Sequence, residues 1–335
     1  MEIAVTVPTH AAEARRVAVR LAIELGFNEA GQANLALVVT EIATNLVKHA
    51  RSGRVVLSAL PYPPGIDIFG IDSGPGMTNV SECMRDGFST AESAGTGLGS
   101  IRRLASQMDV HSSPGLGTAV WARCFVEARD TRGSPSARYD AGAIVVPYQG
   151  CTESGDAWRW REFEDRISVL AVDGLGHGPG AAEAARAAAG VFEANAALSA
   201  AAILREMDNA VHHTRGAAAA IAQIVPGKRE LIFSGIGNIA GVIVNSDSEQ
   251  HLVSMNGIVG AHMGKPREFT YPWRPTSILV LHSDGVRSKW RLSDYNGLGS
   301  KPAALIAAVL WREAARGTDD AAVVVVRERS ADHGA

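Results

Sequence analysis

The stretch "VVTEIATNLVKHA", residues 38–50, mixes apolar residues with a regular series of polar ones. Glu41, Asn45 and His49 follow one another at i, i+4 and i+8, which places all three on one side of a helix. Most of the valine, isoleucine and leucine side chains lie towards the other side. The pattern predicts a mostly buried helix with a polar stripe, on which Lys48 and His49 are interpreted as surface or helix-end residues.

The composition indicates a globular chain of two domains. With 335 residues, of which 46% are hydrophobic and 20% charged, the chain is too long for one ordinary core and too apolar for a disordered protein. The formal net charge of −3 gives no basic excess that would suggest binding to nucleic acid or to an anionic membrane. No stretch approaches the roughly 20 apolar residues that a membrane helix needs.

The cysteines and the N-terminal residues indicate the cellular compartment of the protein. Cys83, Cys124 and Cys151 are far apart and form no CxxC pair, so neither a disulfide framework nor a zinc site is expected. The first ten residues lack the basic and apolar regions of a signal peptide. A reducing, cytoplasmic location is therefore predicted.

Residues 1–127 are predicted to form a first domain of strands and helices. Residues 3–7 predict a strand and residues 10–25 a helix, which the helix of the opening stretch follows. Further strands are predicted at "RVVLSAL", "GIDIFGID" and "GTAVWARCFV", and a helix at "GSIRRLASQMD". The polar segment 128–139, which contains Gly, Pro and Ser, is predicted to be a linker.

After the linker the pattern restarts, which predicts a second domain over residues 140–330. Alanine-rich residues 180–190 and 196–211 predict helices. Strands are predicted at "AIVVPY", "RISVLAVDG", "AAAAIAQI", "ELIFSGIGN", "AGVIVN", "SILVLHSDG" and "DAAVVVVRE". The predicted fold class is therefore α+β, in two domains.

Three segments of the first domain have patterns that suit a nucleotide. The opening helix is followed by "DSGPGM", residues 72–77, and by "GTGLGS", residues 95–100, just before a helix. Glycines ahead of a helix let backbone N–H groups approach an anion. An amide oxygen such as that of Asn45 suits Mg²⁺, and Glu41 could orient or deprotonate a hydroxyl group. Taken singly, such glycine-rich turns are more often ordinary turns.

In their order and content, these three segments resemble the GHKL ATPase family. "EIATNLVKHA" is similar to its N-box, and "DSGPGM" and "GTGLGS" are similar to its two glycine boxes, over about residues 1–126. Within the family, the sequence from Gly95 onward looks most like the anti-sigma-factor and switch-protein serine kinases. The resemblance implies a Bergerat-type α/β sandwich that binds ATP with Mg²⁺.

The resemblance also implies roles for the matching residues. Asn45 would ligate Mg²⁺, and Glu41 would act as the base or position the attacking group. Asp72 would contact the adenine amine, with Gly74 and Gly76 shaping that wall. The phosphates would be cradled by the glycines of the second box, which are Gly95, Gly97 and Gly99.

In the second domain, aspartates stand at the ends of apolar runs. Asp173 and Asp284 each end such a run and are followed by glycine, Asp319 and Asp320 precede another, and Asp156 lies upstream in "ESGDAW". Carboxylates that converge repel one another unless cations neutralise them. Oxygen ligands suit Mg²⁺ or Mn²⁺ rather than zinc. One Asp-Gly pair alone predicts only a turn, whereas the set predicts a site for two such ions.

The set resembles the SpoIIE and RsbX branch of the metal-dependent PPM-type phosphatases, over about residues 140–328. The resemblance implies an α-β-β-α sandwich in which the carbonyl of Gly174 helps to bind metal. The implied carboxylate ligands are Asp156, Asp173, Asp284 and Asp319. Asp319 is chosen over Asp320 by position alone. His177 is interpreted with equal weight as a substrate contact or as a residue that stabilises a turn.

Together the two resemblances imply a bifunctional regulator of partner switching. The first domain would transfer the γ-phosphoryl group of ATP to a serine or threonine of a partner. The second would hydrolyse phosphoserine or phosphothreonine with two Mn²⁺ or Mg²⁺ ions. The family's partners are STAS-domain antagonists and stressosome scaffolds, which are therefore the expected substrates. Kinases of this kind often pair, so a homodimer is kept as an expectation.

Two alternatives stay open from the sequence. In the first, the N-terminal domain is a nucleotide-gated binding module, similar to an anti-sigma factor, that holds a partner without phosphorylating it. In the second, the chain is a metabolic hydrolase, although no hydrophobic small-molecule pocket is legible in the sequence.

Overall fold

A computed structural model describes residues 1–50, 52–83, 97–126 and 138–329. Tertiary contacts divide the chain into two compact units, Met1–Pro135 with Tyr295–Val309, and Ser136–Asp294 with Leu310–Ala335. Most of the predicted linker, residues 128–139, lies outside the described residues, and its last residue, Tyr139, already begins a strand.

The first unit contains a five-stranded antiparallel sheet within its described residues. The elements are β1 (Glu2–Val5), α1 (Pro8–Glu24), α2 (Glu29–His49), β2 (Gly53–Pro61), β3 (Pro64–Ile71), α3 (Val80–Cys83), α4 (Gly97–Leu104), β4 (Gln107–Ser113) and β5 (Gly117–Phe125). The strand order is β1-β2-β3-β5-β4. Apolar residues of α1, α2 and one face of the sheet form a single core.

Helix α2 is stabilised by residues at both of its ends and by close packing of its buried face. The side chain of Asn28 caps the helix by accepting a hydrogen bond from the Gly31 N–H at 2.8 Å. Lys48 and His49 in the last turn suit the negative end of the helix dipole. Close packing on β3 depends on Gly70, where a Cβ atom would lie 2.3 Å from Cγ2 of Ile42.

The prediction that all of "GSIRRLASQMD" is helical is wrong in its last part. The helix α4 ends at Leu104, and Gln107, Met108 and Asp109 already belong to strand β4. The pairing of β4 with β5 extends from Gln107 opposite Arg123 to Ser113 opposite Gly117. Backbone pairing along the edge of the sheet therefore overrides the local helix pattern.

The second half of the chain contributes the remaining elements. They are β6 (Tyr139–Val146), β7 (Asp156–Glu162), β8 (Ile167–Gly174), α5 (Pro179–Asn195), α6 (Ala200–Val211), β9 (Ala217–Val225), β10 (Glu230–Ile236), β11 (Ala240–Val244), β12 (Glu249–His251), β13 (Ser254–Met255), β14 (Phe269–Pro272), β15 (Ile278–His282), α7 (Ala303–Ala314) and β16 (Ala321–Glu328). The sequence had not indicated β7 or α7. With these elements, the predicted α+β class in two domains is confirmed.

The strands of the second unit form two sheets in the part of the chain that the structure describes. One sheet has the order β12-β11-β15-β16-β6, and the other has the order β13-β10-β9-β8-β7, with β14 paired to β10. Strand β7 contacts both β6 and β16, so the two sheets meet at this edge. Helices α5 and α6 cover the second sheet through a core of alanine, leucine, isoleucine and phenylalanine side chains.

Among the described residues, no helix has the length and apolar character needed to cross a membrane.

Candidate functional sites

In the first unit, the polar stripe of α2 faces the start of α4. Glu41 and Asn45 are half-buried, whereas Lys48 and His49 are exposed, as predicted. A Cβ atom at Gly97 would lie 3.3 Å from Oδ1 of Asn45 and 3.4 Å from Oε2 of Glu41. The first residue of α4 therefore lies directly against the two side chains that the sequence singled out.

Of the three glycines of the second glycine box, Gly97 has this contact. Gly95 lies outside the described residues, and Gly99 is buried as the third residue of α4. Backbone N–H groups in the first turn of a helix favour an anion, and Gly97 is the first described residue of α4. A phosphate group would meet Asn45 and Glu41 there.

Asp72 follows the last residue of β3 and is half-buried. Its Oδ1 accepts a hydrogen bond from the Gly74 N–H at 2.6 Å, and its own N–H donates to the carbonyl of Thr118 at 2.9 Å. A Cβ atom at Gly74 would lie 3.1 Å from the carbonyl oxygen of His49, so the loop packs on the last turn of α2. Asp72 is therefore held close to the helix that carries Asn45.

Gly76 closes the same loop. Its φ of +72° is in the left-handed region, and a Cβ atom there would lie 2.1 Å from the carbonyl oxygen of Ser113. Only glycine fits this position. The conformation brings the "DSGPGM" loop down onto the turn between β4 and β5.

Two hydroxyl groups beside this loop were missed by sequence reasoning. Oγ of Ser112 accepts a hydrogen bond from the Met77 N–H at 2.8 Å and lies 2.9 Å from Oγ1 of Thr118, which is buried. Both residues belong to paired strands, β4 and β5. The two residues lie opposite each other in this pairing, so they could be anticipated only once β4 was recognised as a strand.

In the second unit, Asp156 and Asp173 lie directly opposite each other on β7 and β8. Asp156 is only 4% exposed, and its Oδ2 accepts a hydrogen bond from Oγ of Ser283 at 2.6 Å. Its Oδ1 is buried and has no hydrogen-bond partner among the residues that the structure describes. Burying a carboxylate oxygen without a partner costs free energy. A bound cation would offset that cost.

The four predicted carboxylates, Asp156, Asp173, Asp284 and Asp319, are called the acidic centre below. Burial, followed by the negative charges of Asp284, Asp319 and Asp320, raises the pKa of Asp173 to about 7. Burial, followed by the charge of Asp173, raises the pKa of Asp156 well above its ordinary value. The carboxylates are thus close enough for their charges to act on one another.

The four side chains of the acidic centre do not converge on a common metal position in the structure. Among the residues that the structure describes, no group of three or more His, Cys, Asp or Glu side chains is arranged to hold a metal ion. Asp284 is exposed, and its Oδ2 accepts a hydrogen bond from Nδ2 of Asn238 at 2.7 Å. The donor set consists of carboxylate oxygens, and oxygen ligands are the kind that Mg²⁺ and Mn²⁺ prefer.

The structure distinguishes Asp319 from Asp320. Asp320 is 3% exposed, and its two oxygens accept hydrogen bonds from the N–H groups of Tyr148 at 2.6 Å and Gly155 at 2.8 Å. Asp319 is half-buried, and its Oδ1 accepts from the Asp320 N–H at 2.9 Å. Both oxygens of Asp320 are therefore occupied by backbone hydrogen bonds that hold the loops of Tyr148 and Gly155. This favours Asp319 as the ligand.

Gly174 sits where backbones approach closely. A Cβ atom there would lie 2.2 Å from the carbonyl oxygen of Ala181, so no larger residue fits. Its N–H donates to the carbonyl of Gly155 at 2.9 Å. A Cβ atom at Gly155 would lie 3.2 Å from the Gly174 oxygen and 3.0 Å from Oδ2 of Asp320. The Gly174 carbonyl is thus positioned beside the loops that carry Asp156 and Asp320.

Two residues that hold the acidic centre were missed in the sequence. Ser283 is buried and bridges two segments, since its Oγ donates to Asp156 and accepts from the Ala322 N–H at 2.9 Å. Asn238 binds Asp284 as described above. Both lie within stretches predicted as strands, "SILVLHSDG" and "ELIFSGIGN", but their partners depend on the pairing of distant segments, which the sequence does not show.

His177, in the loop after Asp173, has two neighbours. Its Nδ1 lies 3.7 Å from Sγ of Cys151, and its ring centroid lies 5.0 Å from that of Tyr148. These contacts favour the interpretation of His177 as a residue that stabilises the loop.

Comparison with known proteins identifies both halves of the chain. Residues 5–124 match the histidine kinase-like ATPase domain family, and residues 164–329 match the stage II sporulation protein E (SpoIIE) family. The two predicted resemblances are thereby confirmed.

Three relatives illustrate the likeness. The serine/threonine-protein kinase RsbT of Bacillus subtilis is 32% identical over 111 residues, which cover 32% of this chain and 84% of RsbT. An anti-sigma F factor of Caldanaerobacter subterraneus is 31% identical over 113 residues, which cover 32% of this chain and 79% of that protein. The phosphoserine phosphatase RsbX of B. subtilis is 26% identical over 141 residues, which cover 41% of this chain and 70% of RsbX.

A solved structure supports the fold of the second half. A crystal structure of RsbX in complex with magnesium matches with a TM-score of 0.51 and 18% identity, and the match covers 58% of this chain and 98% of RsbX. At this identity the likeness shows the fold alone.

Proposed function

The chain belongs to the histidine kinase-like, GHKL-type ATPase family through its first domain and to the SpoIIE group of PPM serine/threonine phosphatases through its second, and from this we propose a bifunctional regulator of partner switching. The second domain would remove phosphate from phosphoserine or phosphothreonine. The first would phosphorylate serine or threonine of a STAS-type or stressosome-type partner.

The observation that carries the phosphatase assignment is the buried, unpartnered Oδ1 of Asp156 opposite Asp173. Asp156, Asp173, Asp284 and Asp319 would supply carboxylate oxygens to two divalent ions, with Gly174 adding its carbonyl. When bound, such ions activate a water molecule and neutralise charge on the phosphoryl group. Ser283 and Asn238 would hold Asp156 and Asp284 in orientation through their hydrogen bonds.

The phosphatase is tested with p-nitrophenyl phosphate and Mn²⁺. The wild-type protein is expected to release phosphate, and Asp173→Ala is expected to abolish the release. The exposed Asp165, whose partner is the neighbouring Arg166, provides a control variant, Asp165→Ala, that should retain it. Unchanged release by Asp173→Ala would remove the assignment.

The kinase assignment is supported by the meeting of Glu41, Asn45 and Gly97. Asn45 would offer its amide oxygen to Mg²⁺, and the start of α4 would receive the phosphates of ATP. Glu41 would accept the proton of an attacking hydroxyl group. Positioning and charge neutralisation would then supply most of the catalysis.

A labelling assay tests the kinase. Radiolabel from γ-labelled ATP should reach a STAS-domain partner in the presence of the wild-type protein and not with Asn45→Ala. Asn34→Ala, on the same helix, changes an amide that lies outside the site and should label normally. Equal labelling with Asn45→Ala would contradict the assigned role.

The second candidate function is the binding module, which the likeness to an anti-sigma F factor favours. On that alternative, the first domain would bind a partner when nucleotide is present and transfer no label. Co-purification that depends on ATP, with no labelled partner, would select it over the kinase.

A further inference from the structure

The loop that follows Asp173 and Gly174 lies under the side chain of an arginine from another part of the chain. Arg215 stands between α6 and β9 and is exposed. A Cβ atom at Gly180 would lie 2.8 Å from its Nε and 3.0 Å from its Cζ, and one at Gly176 would lie 3.3 Å from its Nη1. The guanidinium therefore rests on two positions of the loop that carry no side chain.

Contacts fix this arginine against the loop that follows Asp173 and Gly174. The Leu175 N–H donates to the carbonyl of Gly216 at 3.0 Å, which joins the segment of Arg215 to the loop. Gly180, beneath the guanidinium, is followed by Ala181, whose carbonyl oxygen would meet a Cβ atom at Gly174. The position under the guanidinium is thus directly adjacent in sequence to the residue whose backbone touches Gly174.

The positive charge of Arg215 is not paired with an acidic side chain of the part of the chain that the structure describes. Within the described ranges, its guanidinium makes no hydrogen bond or ion pair. Other arginines of the same unit are paired, for example Arg159 with Glu193 at 2.6 Å and Arg186 with Glu153 at 2.9 Å. An unpaired guanidinium next to a loop of the acidic centre leaves its N–H donors available for a ligand.

The chemistry of the proposed reaction supplies a suitable ligand. A guanidinium presents a planar set of N–H donors that matches two oxygens of a phosphate group. A phosphate monoester that approaches several carboxylates is repelled by them, and a neighbouring cation offsets that repulsion. We infer that Arg215 binds the phosphoryl oxygens of the phosphatase substrate, an inference that rests on the proposed phosphatase function.

The competing explanation is that Arg215 only holds the loop in shape by lying on Gly176 and Gly180. The two explanations predict different measurements. Loss of a phosphate contact weakens the binding of phosphate, whereas loss of a loop support disturbs the Gly174 carbonyl and hence the binding of metal.

The test compares Arg215→Gln and Arg215→Lys with the wild-type protein. With a phosphoserine peptide and saturating Mn²⁺, Arg215→Gln should raise KM and the inhibition constant of inorganic phosphate by roughly tenfold or more, because it loses a charge-assisted hydrogen bond. The Mn²⁺ concentration for half-maximal activity should stay within about twofold. Arg215→Lys, which keeps the charge, should fall between the two.

Arg205→Gln is the matched control, since Arg205 is an exposed arginine on α6 that also has no partner among the described residues. It should behave as the wild type. An unchanged inhibition constant for phosphate in Arg215→Gln, or a change confined to the Mn²⁺ requirement, would overturn the role of Arg215. Absence of turnover by the wild type itself would instead overturn the phosphatase assignment, and the two failures are thereby told apart.

Discussion

The nucleotide-site residues come from two helices and a strand end within residues 41–97, whereas the acidic centre draws its carboxylates from residues 156–319. Asn45, Glu41 and Gly97 meet because one helix presents a stripe to the start of another. Asp156 and Asp173 meet because two strands pair in one particular register. The first arrangement follows from local periodicity, and the second depends on the whole sheet.

The two sites also differ in charge. The nucleotide site combines the backbone N–H groups near Gly97 with the neutral amide of Asn45 and a single carboxylate, that of Glu41. The acidic centre brings several carboxylates close together. Burial and the repulsion between these carboxylates raise the pKa values of Asp156 and Asp173. Cations should therefore affect the stability of the second site much more than that of the first.

The largest expected effect separates the two activities. Asp173→Asn should lower Mn²⁺-dependent phosphate release by at least about 100-fold, because it removes a ligand charge, and should leave labelling of a STAS partner by ATP unchanged. Asn45→Ala should do the reverse. Both activities are measured on the full chain, and loss of both in either single variant would contradict the independence of the sites.

The next effect is on stability without metal. The pKa of Asp173 is about 7 in the folded chain against 3.8 for the free group, so the folded state binds more protons between these values. Stability contributed by this group is present at low pH and is lost as the pH rises towards 7. In EDTA at pH 7.5, Asp173→Asn should melt higher than the wild type by roughly 2–6 °C.

At pH 4 the two proteins should melt at nearly the same temperature, because Asp173 is then largely protonated and neutral. Saturating Mn²⁺ at pH 7.5 should reverse the order, since only the wild type keeps the ligand. A wild-type protein that melts above Asp173→Asn in EDTA at pH 7.5 would contradict the repulsion inferred for the acidic centre.

A smaller effect is expected for Ser283→Ala. The serine donates to Oδ2 of Asp156 in the buried interior, and its loss should weaken Mn²⁺ binding by roughly 10-fold. The exposed Ser248, whose neighbours are Asp247 and Asn245, provides the control Ser248→Ala. Calorimetric titration with Mn²⁺ measures the change, and equal affinities in the two variants would remove Ser283 from the site.

The smallest effect is expected for Gly97→Ala in the nucleotide site. The new methyl group would lie 3.3 Å from Asn45 and 3.4 Å from Glu41, so these side chains must shift by a few tenths of an ångström. ATP affinity should fall several-fold, with little change in melting temperature. Gly190→Ala, where a Cβ atom meets nothing within 4 Å, is the control, and an equal ATP affinity in both would contradict the placement.

Much of the fold and the site could be predicted where the signal is local. The spacing of Glu41 and Asn45 predicted their shared face, and the Asp-Gly turns predicted that Asp173 and Asp284 end strands. Strand β4 was mistaken for the end of a helix, because its alternation of polar and apolar residues is confined to residues 107–111 and follows closely on α4. The roles of Ser283 and Arg215 depend on contacts between distant segments, and no local pattern carries them.

Anomalous scattering from crystals grown with Mn²⁺ and a non-hydrolysable ATP analogue tests both sites in one measurement. Two peaks are expected within coordination distance of Asp156, Asp173, Asp284 and Asp319, and a third beside Oδ1 of Asn45 and the nucleotide phosphates. An acidic centre without manganese, or a nucleotide bound away from Asn45, would contradict the assembly of two separate metal-dependent sites in this chain.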